Sequence, residues 1–152
     1  MLSSLDNSSP RGIWSDGTTI WVADSYEVKI YAYDVSTKAR DPARDFNTLD
    51  AAGNWNPAGI WSDGTTMWVA DVDWRDLDAK IYAYDVSTKA RDPAKDFNTL
   101  AAAGNERPSG IWSDGTTMWV ANSWDEKLYA YDVSTKARAP SRDFDALAAA
   151  GN

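Results

Sequence analysis

Short apolar segments alternate with polar turns along the whole chain. The segment GIWS at 12–15 is followed by an Asp-Gly pair at 16–17 and then by TTIWVAD at 18–24. Asp-Gly readily adopts the left-handed backbone angles of a tight reversal, so these residues predict a β-hairpin.

The register of this hairpin decides which side chains share a face. With a two-residue loop, Ile13 lies opposite Ile20. Trp14 and Trp21 are then diagonal neighbours on the other face. Both faces are apolar, whereas a sheet with one wet side would alternate apolar and polar residues. The sheet is therefore predicted to be covered on both sides.

Two further segments complete the predicted sheet. KIYAYDV at 29–35 is rich in aromatic and branched residues and predicts a third strand. After a link that contains Pro42, RDFNTL at 44–49 predicts a shorter and more polar outer strand. The pattern therefore predicts four strands in each unit.

The whole unit occurs three times. IWSDGTT begins at Ile13, Ile60 and Ile111, so the spacing is 47 residues from 13 to 60 and 51 residues from 60 to 111. The four extra residues lie in the middle copy, where DVDWRDLDA at 71–79 replaces DSYEV at 24–28. The predicted units run over 10–56, 57–107 and 108–152.

Repeats of this length and composition predict an all-β propeller. Units of about 40 to 50 residues are typical of propellers and other repeat arrays, and sheets that need a neighbour on each face are typical of propeller blades. A two-layer sandwich would leave polar outer faces, and a helical repeat would space its apolar residues by three and four. The short alternating segments of this chain fit neither alternative.

The repeated motif resembles a known type of blade. It reads P-x-G-I-W-S-D-G-T-T-x-W-V-A-D/N and is followed by K-I/L-Y-A-Y-D, from Pro10 onward in all three copies. It is similar to the NHL-type blade, and the resemblance implies a β-propeller of which the three copies form half of a six-bladed ring. The chain departs from that type at the Trp that follows Ile13, and at its equivalents, and at Asn122, which replaces an aspartate. Because the propeller fold hosts lectins, enzymes, RNA binders and scaffolds, the resemblance predicts architecture and not function.

Three blades are too few to close a propeller, since known rings have about four to eight. An open array would expose one apolar blade face at each end, which soluble monomers rarely tolerate. We therefore expect the chain to close a ring with copies of itself, the last blade of one copy against the first blade of the next. A homodimer with six blades is favoured, and a homotrimer with nine is the alternative. The three repeats could also be a piece of a longer array, natural or designed, whose partner blades belong to the same polypeptide.

Composition excludes most enzyme classes. The 152 residues include no cysteine and no histidine, which removes thiolate chemistry and histidine-based proton transfer. A carboxylate pair could cleave a glycosidic bond, but that reaction needs an acid and a base with separated pKa values, and near-equal repeats supply symmetric sites. The acidic run at 71–78 lacks the glycine and the terminal Glu of a calcium-binding EF-hand loop. We therefore expect a non-enzymatic binding or interaction scaffold without a cofactor or a metal.

Charge and hydropathy limit the possible partners. The net charge of −8 repels phosphate backbones and anionic membrane surfaces, so neither nucleic acid nor a membrane is an expected partner. No apolar run approaches the ~18 residues of a transmembrane helix, and the first ten residues lack the features of a signal peptide. We expect a soluble protein, or a fragment of a larger extracellular or surface protein, and the sequence leaves the compartment open.

Charged residues separate between the two ends of the predicted blades. In a propeller, the connections from the second to the third strand and from one blade to the next share one rim. That rim is acidic and carries Asp24, Glu27, Asp71, Asp73, Asp76, Asp78, Asp125 and Glu126. The opposite rim carries Lys38, Arg40, Arg44, Lys89, Arg91, Lys95, Lys136, Arg138 and Arg142. Acidic residues interleave with this basic set, which favours an ordinary solvated surface over a nucleic-acid site.

Large aromatic residues fall into two groups. The tryptophans at fixed strand positions, such as Trp14 and Trp21 with their equivalents, are predicted to be core. Others lie in loops of the acidic rim, where stacked rings and nearby oxygen atoms could bind a sugar. The candidate ligand-binding residues are Tyr26, Trp55, Asp71, Asp73, Trp74 and Trp124. A carbohydrate-binding lectin is therefore the alternative function, and structural packing of these rings is the competing explanation.

Overall fold

The protein is described by a computed structural model that covers residues 7–72, 79–100 and 103–145. In these ranges it is all-β, with three similar antiparallel sheets of three strands each. The first sheet contains β1 (Pro10–Ser15), β2 (Thr19–Asp24) and β3 (Lys29–Asp34). The second contains β4 (Pro57–Ser62), β5 (Thr66–Asp71) and β6 (Lys80–Asp85), and the third contains β7 (Pro108–Ser113), β8 (Thr117–Asn122) and β9 (Lys127–Asp132). Short 3-10 turns lie at Pro42–Arg44, Pro93–Lys95 and Pro140–Arg142.

The predicted hairpin is present, but its register differs from the prediction. Trp14 lies directly opposite Trp21, and Ile13 lies opposite Val22. The predicted pairing of Ile13 with Ile20 is therefore wrong. The second and third sheets have the same register as the first.

The turn itself explains this shift. The Asp16 carboxylate accepts hydrogen bonds from the backbone N–H groups of Thr18 and Thr19, both at 2.7 Å. The Ser15 hydroxyl accepts from the N–H of Gly17 at 3.0 Å and donates to the carbonyl of Thr19 at 2.8 Å. Gly17 has the left-handed backbone angle that this turn requires, with φ at 92°. These side-chain hydrogen bonds hold residues 16–19 between Ser15 and Ile20, which lie opposite each other, so the β1–β2 reversal is longer than a two-residue loop.

The predicted fourth strand is reduced to a single bridge. Ile30 and Phe46 exchange two backbone hydrogen bonds, of 3.0 and 2.9 Å. A continued ladder would next use the N–H of Ala32, but that group donates to the Asp45 carboxylate at 2.8 Å. The segment before it forms the 3-10 turn Pro42–Arg44. The prediction of four-stranded units is therefore wrong, because a side chain replaces the backbone partner that a fourth strand would need. We call each sheet with its bridged segment a blade.

Successive blades pack face to face through a fixed set of side chains. The forward face of blade 1 consists of Trp14, Trp21, Ala23, Ile30, Ala32 and Phe46, with equivalents in the other blades. The rear face of blade 2 consists of Ile60, Met67, Val69, Tyr82 and Tyr84, again with equivalents. The forward face of blade 1 packs on the rear face of blade 2, and blade 2 packs on blade 3 in the same way. The two resulting clusters form the core.

The first strands of the three blades approach each other so closely that their backbones touch. A Cβ atom on Gly12 would lie 2.2 Å from the carbonyl oxygen of Ala58. A Cβ atom on Gly59 would lie 2.7 Å from the carbonyl oxygen of Ser109 and from Cα of Gly110. Only glycine fits at such distances, which explains why Gly follows Pro-x in the repeated motif.

The three blades form a propeller-like row that does not close into a ring within the described part of the chain. Among the described residues, the rear face of blade 1 and the forward face of blade 3 have no neighbouring blade. In the ranges that the structure covers, no helix has the length and apolarity needed to cross a membrane.

Candidate functional site

The forward face of blade 3 is an open apolar surface. Trp112, Trp119, Leu128 and Phe144 are among the residues around a cavity of about 430 Å³. The Trp112 and Trp119 rings lie 5.4 Å apart between centroids, and the ring of Phe144 lies 6.4 Å from that of Trp119. Trp112 is exposed, so the prediction that every strand tryptophan is core is wrong at this position. The reason is that no further blade covers it.

The rear face of blade 1 is the second open surface. Ile20, Val22, Tyr33 and Val35 line a cavity of about 350 Å³ on this face. Its edge is more polar, since Asn7 donates a hydrogen bond to the Tyr33 hydroxyl at 3.2 Å. The face therefore combines an aliphatic centre with a tyrosine at one side.

The interior of the molecule shows what each of these faces packs against. Phe46 of blade 1 meets Tyr84 of blade 2 edge to face, with the ring centroids 6.1 Å apart and the planes at 81°. Phe97 of blade 2 meets Tyr131 of blade 3 at 6.0 Å and 82°. The Lys89 ammonium lies 5.8 Å from the centre of the Phe46 ring. Each of the two aromatic contacts therefore joins a phenylalanine of one blade to a tyrosine of the next.

Polar contacts also join blade 1 to blade 2. The Tyr82 hydroxyl donates to the carbonyl of Gly53 at 2.8 Å, and the guanidinium of Arg91 donates to the carbonyl of Ala52 at 2.8 Å. Burial raises the pKa of both Tyr84 and Tyr131, to about 12 for Tyr131. These phenols are therefore neutral members of the interface at physiological pH.

Much of the predicted basic rim is occupied by internal ion pairs. Arg40 pairs with Asp45 at 2.5 Å, and its guanidinium lies 4.4 Å from the centre of the Tyr31 ring. The equivalent pairs in blades 2 and 3 are Arg91 with Asp96 and Arg138 with Asp143. The interpretation of this set as an ordinary solvated surface is therefore wrong for the arginine of each pair, which is half-buried against its tyrosine and its aspartate.

The third of these pairs also shows how the aspartate is held ionised. Burial alone would raise the pKa of Asp143, but hydrogen bonds from the Arg138 guanidinium and from the N–H of Ala130 offset it, and the pKa is lowered. The same pair raises the pKa of Arg138. Both partners are therefore charged throughout the physiological range.

The predicted ligand-binding residues lie in different environments. Tyr26, Trp55 and Trp124 are 78%, 54% and 66% exposed. Asp71 is buried, and its carboxylate accepts a hydrogen bond from the N–H of Asn56 at 2.8 Å. Asp73 and Trp74 lie outside the described residues. The structure therefore presents three of the predicted rings to solvent at the acidic rim and places Asp71 inside the protein.

Asp71 belongs to a repeated contact that sequence reasoning missed. In blade 1, Asp24 accepts from the N–H groups of Ser9, Tyr26 and Glu27, each at 2.8 Å. Asn122, the equivalent residue of blade 3, accepts from two of the corresponding N–H groups, those of Arg107 and Trp124, both at 3.2 Å. These side chains connect the turn after the second strand to the residues just before the first strand. Their role on the rim is therefore to stabilise the blade.

The exposed ring of Trp124 has a charged side chain packed against it. The guanidinium of Arg107 lies 4.1 Å from the centre of the Trp124 ring, which is a cation–π distance. In the same turn, the Asp125 carboxylate accepts a hydrogen bond from the Tyr129 hydroxyl of β9 at 2.5 Å. Burial and this neighbouring carboxylate raise the pKa of Tyr129 to about 12.

A polar pocket on the same rim was not predicted. Arg11, Asn56, Ser109 and Ser123 lie around it, where the first strands of the three blades begin. The signal available in the sequence was the variation between copies just before each Pro-x-Gly.

Comparisons with known proteins bear on the fold. No protein-family model and no curated protein matches the chain. Among solved structures, it is similar to the hydrazine synthase of Kuenenia stuttgartiensis, with a TM-score of 0.60 and 20% identity over 89% of this chain and 36% of that one. It is also similar to a chain of a nidogen/laminin complex, with a TM-score of 0.53 and 20% identity over 91% of this chain and 64% of that one. A computationally designed protein, Ika8, matches with a TM-score of 0.51 and 9% identity over 90% and 36% of the two chains.

These likenesses concern architecture alone, because the identities are low. They support the propeller-like arrangement of the three sheets. The chain spans between 36% and 64% of the length of the proteins that it matches.

Proposed function

We propose that the chain is a non-enzymatic binding scaffold that works as a closed propeller ring, assembled from copies of itself. The observation that carries this proposal is that the two open end faces repeat the faces that are buried inside. Ile13 on the open rear face is 67% exposed, whereas its equivalent Ile60 is 3% exposed. Phe144 on the open forward face is 53% exposed, whereas Phe46 and Phe97 are fully buried.

The end faces keep nearly the same side chains as the interior ones. On the forward face of blade 3, only Leu128 differs from the isoleucine of the other blades. On the rear face of blade 1, Ile20 replaces the methionines of blades 2 and 3. Both changes are between apolar residues of similar volume, which packed interfaces tolerate well. Each end face therefore suits the same kind of neighbour as its interior equivalents.

A second copy supplies that neighbour in a head-to-tail arrangement. The interior rule is that a forward face packs on a rear face, so the forward face of blade 3 fits the rear face of blade 1 in another copy. Phe144 would then meet Tyr33 of the second copy edge to face and lie beneath its Lys38. In the interior, Phe46 makes the same two contacts, with the ring of Tyr84 and with the ammonium of Lys89. A contact of this kind joins different surfaces of identical chains, and it forms a ring when the rotation closes.

The free energy of closure comes mainly from apolar burial. Covering a large apolar side chain contributes about 1.5–3 kcal/mol. Each junction would cover Trp112, Phe144 and Ile13 together, and an edge-to-face aromatic pair adds about 0.5–1.5 kcal/mol. We favour two copies, which give six blades, over three copies, which give nine.

Native mass spectrometry with size-exclusion chromatography tests the assembly. The 16.7 kDa chain is expected at twice its mass for six blades, or at three times for nine. Phe144→Asp and Tyr33→Asp each damage one of the two end faces, so each variant alone should be monomeric. An equimolar mixture retains one intact junction and should form a heterodimer that grows no further.

The matched control for these variants is Tyr26→Asp, which makes the same kind of change on an exposed aromatic residue away from both end faces. It should assemble like the unchanged protein. A monomer at every concentration up to the hundred-micromolar range, or normal assembly of Phe144→Asp, would refute the ring.

The binding role of the ring is proposed from its exposed rim. The chain has no histidine and no cysteine. Its exposed aromatic rings outside the two end faces, Tyr26, Trp55 and Trp124, lie in loops, where binding residues concentrate. A ring of repeated blades holds such loops on a rigid frame. We propose binding and not catalysis on these grounds.

A carbohydrate-binding lectin is the second candidate. The observation that favours it is that Tyr26, Trp55 and Trp124 present their rings to solvent on the rim. Trp55→Ala and Trp124→Ala should abolish micromolar binding on a glycan array, while Trp124→Phe retains part of it. Absence of binding at high micromolar glycan concentration removes this candidate and leaves the ring proposal intact.

A further inference from the structure

The three repeats differ in a short segment just before the motif that they share. The residues 12–19, 59–66 and 110–117 are identical, and each reads GIWSDGTT. Just before them, every copy has its own residue at three positions, which are Ser8, Trp55 and Glu106, then Ser9, Asn56 and Arg107, then Arg11, Ala58 and Ser109. A uniform frame therefore carries a varied set of side chains at the start of each first strand.

The fold places four of these varied residues, Arg11, Asn56, Ala58 and Ser109, around one pocket. The pocket has a volume of about 340 Å³, and its walls include Arg11, Asn56, Ala58, Val72, Ser109 and Ser123. All three blades contribute to it. The touching backbones of β1, β4 and β7 at Gly12 and Gly59 hold the neighbouring residues in fixed relative positions. Small-molecule sites have volumes of about 300–1,000 Å³, so the pocket is of sufficient size for a small ligand.

Arg11 is the residue that determines what this pocket can bind. Its Nε donates to the Ser25 hydroxyl at 3.3 Å. Within the described ranges it contacts no carboxylate. By contrast, Arg44, Arg91 and Arg138 are each paired with an aspartate. Arg11 therefore places a guanidinium at the pocket without an acidic partner in that part of the chain.

The other polar groups around the pocket suit an oxygen-bearing ligand. The Ser109 hydroxyl makes a long hydrogen bond of 3.4 Å to the carbonyl of Ala121, and the Ser123 hydroxyl makes one of 3.3 Å to the carbonyl of Arg107. A hydroxyl group can rotate and donate to a ligand instead. Ala58 and Val72 give the wall between these groups an apolar part, on which a short carbon chain can lie.

We infer that this pocket binds a small carboxylate-bearing molecule, with the carboxylate on Arg11 and further oxygen atoms on Ser109 and Ser123. A guanidinium matches a carboxylate through two parallel hydrogen bonds, and such charge-assisted bonds are stronger than neutral ones. At neutral pH a phosphate group carries about −1.5 to −2 and a carboxylate group −1, so the net charge of −8 favours a carboxylate on Arg11 over a phosphate group. The site lies within a single chain, so it does not depend on the ring.

Titration with succinate, followed by NMR of the ¹⁵N-labelled protein, tests this site. The backbone amides of Gly12, Ser109 and Ser123 should shift and reach saturation with succinate. They should not respond to succinamide, which has the same shape without charge, and inorganic phosphate should bind more weakly than succinate. Arg11→Gln should weaken succinate binding about tenfold or more, as expected for loss of a hydrogen bond between charged groups. Arg11→Lys should retain part of the affinity.

Arg44→Gln is the matched control. Arg44 donates a hydrogen bond to the hydroxyl of Thr19, at the turn of the β1–β2 hairpin, whereas Arg11 lies at the opposite end of that hairpin. It should leave succinate binding unchanged. Equal shifts with succinamide, unchanged affinity in Arg11→Gln, or preference for phosphate would overturn the inference. Arg11→Gln should keep the native mass of the unchanged protein, so this experiment and the assembly experiment can fail independently.

Discussion

The middle blade and the two outer blades contain nearly the same residues in different surroundings. Four of the six residues of β4 in blade 2 are buried, whereas the equivalent strand β1 of blade 1 has only exposed or half-buried residues. Phe97 is fully covered, and its equivalent Phe144 is exposed. The residue type is the same, so the difference in burial comes entirely from the presence or absence of a neighbouring blade.

The comparison shows that the repeated blade motif has two different roles, which depend on its place in the row. Between blades, the motif builds the core of a single chain. At the ends of the row, the same motif forms the surfaces that we propose for assembly. Substitutions at equivalent positions should therefore change folding in the middle blade and assembly at the ends.

The largest difference is expected between Phe97→Ala and Phe144→Ala. Phe97→Ala removes a buried ring and should lower the free energy of unfolding by about 3–5 kcal/mol. Phe144→Ala removes an exposed ring, so its cost in dilute protein should be small and should grow with concentration as assembly is lost. Urea unfolding at several protein concentrations measures both, with Phe46→Ala as a second interior position. Equal costs for Phe97→Ala and Phe144→Ala in dilute samples would contradict the comparison.

The next largest effect is expected for Asp96→Asn. The Asp96 side chain is almost fully buried, pairs with Arg91 and accepts the N–H of Ala83. Asparagine can still accept the backbone bond, but it leaves the guanidinium without its charge partner, which should cost about 3 kcal/mol. Chemical denaturation measures this, and a cost below that of an ordinary surface substitution would show that the pair is not needed. Asp92→Asn, in the exposed pair with Lys95, is the control, since such pairs contribute about 0–1 kcal/mol.

Glycine substitutions sharpen the comparison at the backbone contact. Gly59→Ala would place Cβ 2.7 Å from backbone atoms of blade 3, so it should destabilise the chain by about 1–3 kcal/mol. At the equivalent Gly110, the nearest atom to a new Cβ is 3.8 Å away. Gly110→Ala should therefore fold normally but fail to assemble, because the next blade would belong to another copy. Thermal unfolding and native mass together distinguish these outcomes, and normal assembly of Gly110→Ala would argue against the proposed junction.

The smallest effect concerns a turn that all three blades share. Hydrogen bonds from the hydroxyls of the following Ser and Thr and from the Thr N–H lower the pKa values of Asp34, Asp85 and Asp132 to about 2. A lowered folded-state pKa stabilises the protein above the unfolded value near 3.9, and this stabilisation is lost as the pH falls towards 2. Asp85→Asn should show a smaller loss of stability between pH 4 and pH 2 than the unchanged protein.

Carboxyl ¹³C NMR checks the same turn directly. Because each of these carboxylates accepts its hydrogen bonds from the Ser and Thr of its own turn, the three should titrate together at about pH 2. A titration near the ordinary value in one outer blade would show that the ends of the row also differ in their local turns.

Local features of the fold were the most predictable. The Asp-Gly pairs indicated the hairpins, and the repeat of the apolar segments indicated three similar sheets with two apolar faces each. The register was missed because the Asp16 carboxylate binds the N–H groups of Thr18 and Thr19 and extends the turn. The fourth strand was missed because the Asp45 side chain takes the N–H of Ala32. In both places, a side chain competes with the backbone for one hydrogen bond, which an apolar pattern does not record.

The candidate sites were less predictable than the fold. Exposed aromatic rings at Tyr26 and Trp124 follow from their positions in polar loops. The burial of Asp71 does not, because it depends on the N–H of Asn56, which is distant in the sequence. The pocket at Arg11 also joins residues from three repeats, and only the packing of their first strands brings them together.

The sequence by itself determined the repeat, the strands and the apolar character of both blade faces, since these depend on residue type and on spacing within a few positions. The tertiary structure decided which of three equivalent faces is buried, which acidic residues are internal, and where varied residues meet. The physical reason is that burial is a property of pairs of surfaces. Identical segments acquire different environments when one has a neighbour and the other does not.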